Sequence, residues 1–281
     1  MNLTLDTTCP VARPDSGPIL PKRSEAVGDT TCAIAKPRIG IFSLTSCEGC
    51  SLAILELEDQ LLGILGAVEI VNFREGKTER EWTIDIGFVD GAISTPHDED
   101  EIKRLRACCK TLVAIGACAC LGGVNTLKNH QAPDEYRAHV YGDKAPLFPT
   151  IEARPLSAVV KVDYELPGCP MVREEFLRFV KYLLSGRTFH LPTYPVCVEC
   201  KKSGNRCLYE SGEICLGPIT RAGCAAICPH YGSKCEGCRG LVSGDALKAF
   251  ARNMREHYGV SADDVLASLR LYGAFQKKEL P

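Results

Sequence analysis

The sequence lacks an excess of charge of either sign. Its 33 basic and 35 acidic side chains leave a formal net charge of −2, and the pI is about 6.3. A chain without a broad basic field has no general electrostatic attraction for nucleic acid or for anionic lipid. We therefore expect neither as a partner.

The sequence also lacks a clear membrane span and a start typical of secreted proteins. Thr111 to Leu127 is uncharged, but it has only 17 residues, and glycines and cysteines occupy its centre. A membrane helix needs about 20 apolar residues, so a buried strand followed by a glycine-rich loop fits better. The first residues hold neither an apolar core nor a twin-arginine pair, and the expected location is the cytoplasm.

Cysteine, by contrast, is abundant, with 17 among 281 residues. A chain of this length does not need disulfides to stabilise its core. The number is odd and the distribution uneven: eight cysteines lie between Cys197 and Cys238, and none follows. Metal ligation explains this distribution better than disulfide pairing does.

Composition divides the chain into three predicted parts. Residues 1–36 hold four prolines without apolar periodicity and are expected to form an extended arm. Residues 37–188 alternate apolar runs with helical patterns, which predicts an α/β fold with an open, mostly parallel sheet. Residues 189–281 are predicted to form a small, irregular cysteine-rich domain that ends in two helices, Gly244–Tyr258 and Ser261–Tyr272.

Five strands and three helices are predicted in the α/β part. The strands are Ile39–Leu44, Val68–Phe73, Ile84–Val89, Thr111–Ile115 and Ala158–Val162. The helices are Ser51 to Leu65, Asp98–Cys109 and Val172–Ser185. The acidic run Asp98–Glu101 is interpreted as complementing a helix dipole, without a function of its own.

Three cysteine motifs follow predicted strands. They are Thr45-Ser46-Cys47-Glu48-Gly49-Cys50, Gly116-Ala117-Cys118-Ala119-Cys120 and Pro167-Gly168-Cys169-Pro170. Ligands of open parallel sheets bind beyond the carboxyl ends of the strands, so four thiolates converging there could hold one iron–sulfur cluster. Taken alone, Cys47 and Cys50 would also fit a thioredoxin-like dithiol, but a dithiol needs no further strand-end cysteines. Cys108 and Cys109 are interpreted as buried apolar residues.

Eight further cysteines divide into two groups of four. They are Cys197, Cys200, Cys207 and Cys215, then Cys224, Cys228, Cys235 and Cys238. Two zinc sites and two four-iron clusters need the same number of thiolates, so the spacing alone leaves both metals open. The Cys228-Pro229 pair and the upstream motifs favour iron. With so many ligands and so little apolar core, either metal would supply folding energy.

From Lys36 to about Gly240 the chain resembles the small, electron-transfer subunit of nickel–iron hydrogenases. The resemblance depends on the three strand-end motifs and on Cys207-Leu208-Tyr209-Glu210 leading to Cys215-Leu216-Gly217-Pro218-Ile219-Thr220. It implies a flavodoxin-like domain followed by a cluster domain. It also implies that the nickel–iron centre belongs to a large partner subunit and that electrons leave through this chain to an acceptor subunit carrying flavin or further iron–sulfur clusters.

The resemblance further implies three [4Fe–4S] clusters. The ligands would be Cys47, Cys50, Cys118 and Cys169 for the proximal cluster, Cys224, Cys228, Cys235 and Cys238 for the medial one, and Cys197, Cys200, Cys207 and Cys215 for the distal one. The family's glycine–small–cysteine pattern selects Cys118 over Cys120.

Two positions differ from membrane-associated family members. Cys197 stands where those proteins have histidine, and Cys228 supplies a fourth medial cysteine that they lack. The all-cysteine pattern resembles the cytoplasmic group, whose complexes couple hydrogen to NAD(P), coenzyme F420, polysulfide or a heterodisulfide partner.

Three alternatives stay open at this point. One is the cluster-bearing subunit of a respiratory quinone-reducing complex, which resembles only the α/β part. The second is a zinc-stabilised interaction module without redox activity, and the third is a free-standing ferredoxin-like carrier. Glu48 is interpreted as a helix-start carboxylate in preference to a charge that tunes a cluster. The six histidines show no ligand spacing.

Overall fold

The computed structural model describes residues 36–273, and a parallel five-stranded sheet lies at its centre. The strands are β1 (Arg38–Ser43), β2 (Glu69–Phe73), β3 (Ile84–Asp90), β4 (Cys109–Ile115) and β5 (Tyr164–Leu166). All four neighbouring pairs are parallel, and the order across the sheet is β2-β1-β3-β4-β5. This is the flavodoxin-like order, so the predicted fold class is confirmed.

Helices connect and follow these strands. They are α1 (Gly49–Leu55), α2 (Asp59–Ala67), α3 (Pro96–Cys108), α4 (Gly116–Leu121), α5 (Pro133–Tyr141), α6 (Arg173–Leu184), α7 (Val196–Lys202), α8 (Ile227–His230), α9 (Gly244–Tyr258) and α10 (Ala262–Gly273). Short 3-10 segments lie at Gly123–His130, Gly142–Leu147, Leu156–Ala158 and Leu208–Ser211. Within residues 36–273, no helix is long and apolar enough to cross a membrane.

The strands are nearly continuous apolar runs, so apolar side chains lie on both faces of the sheet and helices cover both. On one face, Phe88 of β3 packs against two phenylalanines of α6, with ring centroids 5.1 Å from Phe176 and 6.1 Å from Phe179. On the other face, Ile102 and Leu105 of α3 are fully buried in a second apolar cluster. Helices on both faces leave the carboxyl edge of the sheet as the place for a site.

The start of α3 contains a capping box. The Thr95 hydroxyl accepts a hydrogen bond from the Asp98 N–H at 3.1 Å, and the Asp98 carboxylate accepts from the Thr95 N–H at 2.8 Å. The same carboxylate accepts from the Thr45 hydroxyl at 2.8 Å. Asp98 therefore does more than complement the helix dipole, because it also anchors the loop that leads to Cys47.

Two predicted elements of the α/β part were wrong. The helix predicted over Ser51 to Leu65 is two helices, since Glu58 has a backbone φ of 49° between α1 and α2. The strand predicted over Ala158–Val162 is not formed, and the fifth strand is β5, paired with Val113–Ile115. Valines in 158–162 pack against the core without entering the sheet, and an apolar run alone does not distinguish these two situations.

The cysteine-rich part ends in the two predicted helices. The Ser243 hydroxyl accepts from the Ala246 N–H at the start of α9, and the Ser261 hydroxyl accepts from the Asp264 N–H at the start of α10. Apolar side chains of both helices pack with Leu216 and Ile219 in a small core of their own. The predicted N-terminal arm, apart from residue 36, lies outside the described residues.

Candidate functional site

The first cysteine group lies at the carboxyl edge of the sheet. Cys47 and Cys50 follow β1, Cys118 lies in α4 after β4, and Cys169 follows β5. The pKa of the Cys118 thiol is raised to about 12, mainly by burial and then by the negative charges of Asp90, Cys169 and Cys47. Burial likewise raises the pKa of Cys50, with Asp90, Cys169 and Cys118 adding to it. The fold thus brings the four thiols close enough for their charged forms to repel one another.

Glycines make room for these thiols. Gly116 has a φ of +82°, and a Cβ there would clash with the Cys50 sulfur. Gly123 has a φ of +55°, and its Cβ would lie 2.8 Å from the Cys118 sulfur. Side chains at these two positions would fill the space between the thiols, so the Gly116 and Gly123 backbones form a cradle.

Cys120 lies outside this cradle, although it is only two residues from Cys118. It is 5% exposed, and its thiol donates to the Ala114 carbonyl at 3.5 Å within the core. Cys109 is 3% exposed at the start of β4, and Cys108 is buried at the end of α3. The interpretation of Cys109 as a buried apolar residue is confirmed, whereas Cys108 is buried but disulfide-bonded.

The second group consists of Cys197, Cys200, Cys207 and Cys215. Cys197 and Cys200 lie one turn apart on α7. The pKa of Cys197 is raised to about 11, first by burial and then by the negative charges of Cys215, Cys200 and Cys207. A Cβ on Gly217 would lie 3.2 Å from the Cys197 sulfur and 3.5 Å from the Cys215 sulfur, so glycine again provides space between thiols.

The third group consists of Cys224, Cys228, Cys235 and Cys238. The pKa of Cys238 is raised to about 12, mainly by burial, with Cys224, Cys169 and Cys228 adding their negative charges. Four members of this group and Cys169 line a cavity of about 970 Å³. The Cys228 side chain, in α8, is exposed to solvent on one side of it.

The third group lies between the other two. The N–H of Cys169, from the first group, points at the Cys238 thiol and favours its charged form. On the opposite side, the N–H of Cys235 donates to the Cys215 thiol of the second group at 3.2 Å. The three groups therefore follow one another in the order first, third, second.

Acidic residues border the first group, and sequence reasoning missed one of them. Asp90 ends β3, is 2% exposed, and accepts hydrogen bonds from the Ser46 hydroxyl at 2.9 Å and the Gly91 N–H at 2.7 Å. Burial raises its pKa. The sequence did offer a signal for Asp90, because Asp90 and Gly91 directly follow the predicted strand Ile84–Val89. Glu48 lies at the start of α1 as interpreted, but its side chain accepts from the Ser43 hydroxyl and does not cap the helix.

Thiolate is the donor that iron–sulfur clusters require, and each group offers four of them around a space kept open by glycine or by a cavity. Burial and mutual repulsion both disfavour the free thiolates, whereas bound iron would neutralise them. Within residues 36–273, no three His, Cys, Asp or Glu side chains converge on a position suited to one metal ion. In an iron–sulfur cluster each thiolate binds a different iron, so the four sulfurs do not need to converge on one position. The absence of a single-ion site in these residues therefore does not bear on a cluster.

Comparisons with known proteins identify the class. Residues 47–183 match the family model described as "NADH ubiquinone oxidoreductase, 20 Kd subunit". Sulfhydrogenase 2 subunit delta of Pyrococcus furiosus is 38% identical over 206 residues, covering 72% of this chain and 86% of that protein. A vhu subunit of the F420-non-reducing hydrogenase of Methanocaldococcus jannaschii is 33% identical over 270 residues, covering 85% of this chain and 94% of that protein. The chain belongs to this family of hydrogenase subunits.

Solved structures agree with this assignment. A chain of an NAD+-reducing [NiFe]-hydrogenase in the H2-reduced state is 28% identical, with a TM-score of 0.52 over 56% of this chain and 96% of that chain. A chain of the actinobacterial-type NiFe-hydrogenase from Ralstonia eutropha H16 shares the fold, with a TM-score of 0.52, 17% identity, and coverage of 89% of this chain and 93% of that chain. The resemblance to hydrogenase small subunits is confirmed, and the protein is a subunit of an oxidoreductase that acts on hydrogen.

Proposed function

We propose that this chain conducts electrons through three [4Fe–4S] clusters, between a hydrogen-activating large subunit and an electron-accepting subunit. The observation that carries the proposal is the arrangement of twelve thiols in three groups of four, joined at two contacts. One contact is between Cys169 and Cys238, and the other is between Cys235 and Cys215. A zinc-stabilised module would need no such continuous series of sites.

Each group would hold one cluster through its four thiolates. The proximal cluster would lie on the first group, the medial cluster on the third, and the distal cluster on the second. When bound, the clusters supply one-electron transfer at potentials set by ligands, hydrogen bonds and burial. The chain's own residues supply the thiolates, exclude water from buried sulfurs such as those of Cys50 and Cys235, and place backbone N–H groups against sulfur.

The family match ends at residue 183, before the second and third groups begin. The hydrogenase relative of Methanocaldococcus jannaschii, in contrast, is similar over 270 residues, 85% of this chain. That extent favours the hydrogenase subunit over the respiratory-complex subunit, because the latter is expected to resemble only the α/β part. We propose the division into residues 37–188, carrying the proximal cluster, and residues 189–281, carrying the other two. We propose the cytoplasm as the location, on the all-cysteine pattern.

The surface beside the first group fits the large subunit. Cys47 and Cys169 are exposed, as a cluster facing a partner requires. Three apolar side chains nearby are also exposed: Leu52 at 47%, Val124 at 40% and Leu127 at 43%. They lie on the segments that follow Cys50 and Cys118. Stable interfaces place such apolar side chains at their centre, so this side is proposed to contact the large subunit.

Metal analysis tests the proposed function. We expect about twelve iron and twelve acid-labile sulfide per chain after anaerobic purification, since three four-iron clusters require them. Zinc should be absent. Stoichiometric zinc with little iron would instead establish the interaction module and contradict electron transfer.

Substitution of Leu127 tests the large-subunit surface. Leu127→Asp should weaken association with the large subunit at least about tenfold, or about 1.4 kcal/mol, because a carboxylate would be buried in an apolar contact. Co-purification and titration binding measure this effect. The matched control is Leu62→Asp, which changes a 65% exposed leucine of α2, away from the cysteine loops. Equal binding by both variants, with full iron content, would place the large subunit elsewhere.

A further inference from the structure

Arg239 directly follows Cys238, and its side chain is fully buried. Its guanidinium donates to the Ala222 carbonyl at 2.9 Å, to the Pro167 carbonyl at 2.7 Å, and to both carboxylate oxygens of Glu175 at 2.9 Å. Glu175, in the first turn of α6, is only 1% exposed. A buried ion pair is weak evidence of a purely stabilising role, since desolvation offsets much of its attraction.

The partners of this guanidinium belong to loops of two different cysteine groups. Pro167 is two residues before Cys169 of the first group, and Ala222 is two residues before Cys224 of the third. The intervening Gly223 has a φ of +116°, and a Cβ there would lie 2.5 Å from an Arg239 nitrogen. Arg239 thus fills the space between the two loops and fixes them to each other.

Arg239 thereby also fixes the contact between the first and the third cysteine groups. The backbone N–H of Cys169 hydrogen-bonds to the Cys238 thiol, so this N–H links a residue of the first group to a sulfur of the third. Cys238 is joined covalently to Arg239, while Cys169 lies in the loop whose Pro167 carbonyl Arg239 holds. A shift of the guanidinium would therefore move both residues of this contact.

We propose that Arg239, held by Glu175, is a positioning residue for electron transfer between the first and third cysteine groups. It fixes the N–H contact between Cys169 and Cys238, and its charge, balanced by Glu175, adjusts the potentials on both sides. One electron passes from the Cys169 side to the Cys238 side, so one side is oxidised and the other reduced, and no bond forms or breaks. The inference rests on the proposed function.

Two substitutions separate the geometry from the charge. Arg239→Lys keeps the positive charge but loses the planar fork that bonds two carbonyls and a carboxylate together. Glu175→Gln keeps a side chain of similar shape but leaves the Arg239 charge unbalanced, which favours reduction of neighbouring groups. Arg178→Gln is the matched control, since Arg178 lies on the same helix, is 60% exposed, and approaches Glu175 only to 4.0 Å.

The experiment uses the complete complex, with iron content and melting temperature measured for each variant. Potentiometric titration followed by electron paramagnetic resonance gives the potential of each cluster and the magnetic interaction between neighbouring clusters. We expect Glu175→Gln to raise the potentials of the proximal and medial clusters and to leave the distal one unchanged. We expect Arg239→Lys to reduce their magnetic interaction and to slow reduction of the medial cluster about tenfold or more.

Three results would contradict this inference. They are unchanged potentials and interaction in both variants, equal shifts of all three clusters, and the same shifts in Arg178→Gln. If Arg239→Lys does not assemble, Glu175→Gln still decides the matter through the potentials. An unmodified complex without iron would overturn the proposed function and this inference together, whereas an iron-replete complex with unresponsive variants would overturn the inference alone.

Discussion

Replacing Cys118 with serine is expected to remove or distort the proximal cluster. Iron should fall from about twelve to about eight atoms per chain, because one four-iron cluster would lose a thiolate. Hydrogen-dependent reduction of acceptors should fall by more than the roughly 10- to 100-fold that follows loss of an outer-shell partner. Iron and sulfide analysis, together with acceptor reduction by the assembled complex, measure both effects.

Cys120→Ser is the matched control, two residues away in the same helix. The Cys120 thiol donates to the Ala114 carbonyl in the core, and a serine hydroxyl can donate to the same carbonyl. This variant should keep all three clusters and full acceptor reduction. The opposite pattern, with the cluster lost from Cys120→Ser and kept in Cys118→Ser, would reverse the ligand assignment in α4.

Replacing Cys228 with proline is expected to convert the medial cluster towards a three-iron form of higher potential. The cluster would lose one thiolate, and both cluster type and net charge set reduction potential. Cys228 lies in the first turn of α8, where proline is tolerated, and Pro229 already follows it. Electron paramagnetic resonance of the oxidised variant measures the conversion through the three-iron signal.

The same variant should separate two activities. Reduction of a dye that accepts electrons near the proximal cluster should largely survive, since the partner's hydrogen-splitting site is untouched. Transfer to a low-potential acceptor should fall about tenfold or more, because electrons would remain on the medial cluster. Cys228→Ala, which leaves the backbone unchanged, should behave in the same way. An unchanged four-iron spectrum in both variants would show that Cys228 is not a ligand.

The sequence was informative where a local pattern is sufficient. Continuous apolar runs predicted β1 to β4, and the two closing helices were predicted to within one residue of α9 and α10. The run 158–162 misled, because its valines are partly buried by packing against the core and do not pair within the sheet. The break at Glu58 was missed because the apolar pattern of a helix continues through this residue, whereas its backbone has a positive φ and separates α1 from α2.

Cys118 and Cys120 show why the candidate site needed the tertiary structure. Their spacing offers two thiols in one loop, and only resemblance distinguished them in the sequence. In the fold, the helical turn of α4 directs Cys120 into the core and leaves Cys118 beside Asp90, Cys169 and Cys47. Burial of one side of a short helix therefore favours Cys118 over Cys120 as the proposed cluster ligand.

The sequence by itself determined the fold class, which cysteines form each motif, and the position of three motifs after strands. These properties follow from residue type and spacing. Only the tertiary structure decided how the groups meet. Glu175 and Arg239 are 64 residues apart, and Pro167 and Arg239 are 72 residues apart. No local pattern connects such positions, since their contact depends on packing the cysteine-rich part against α6 and the loop after β5.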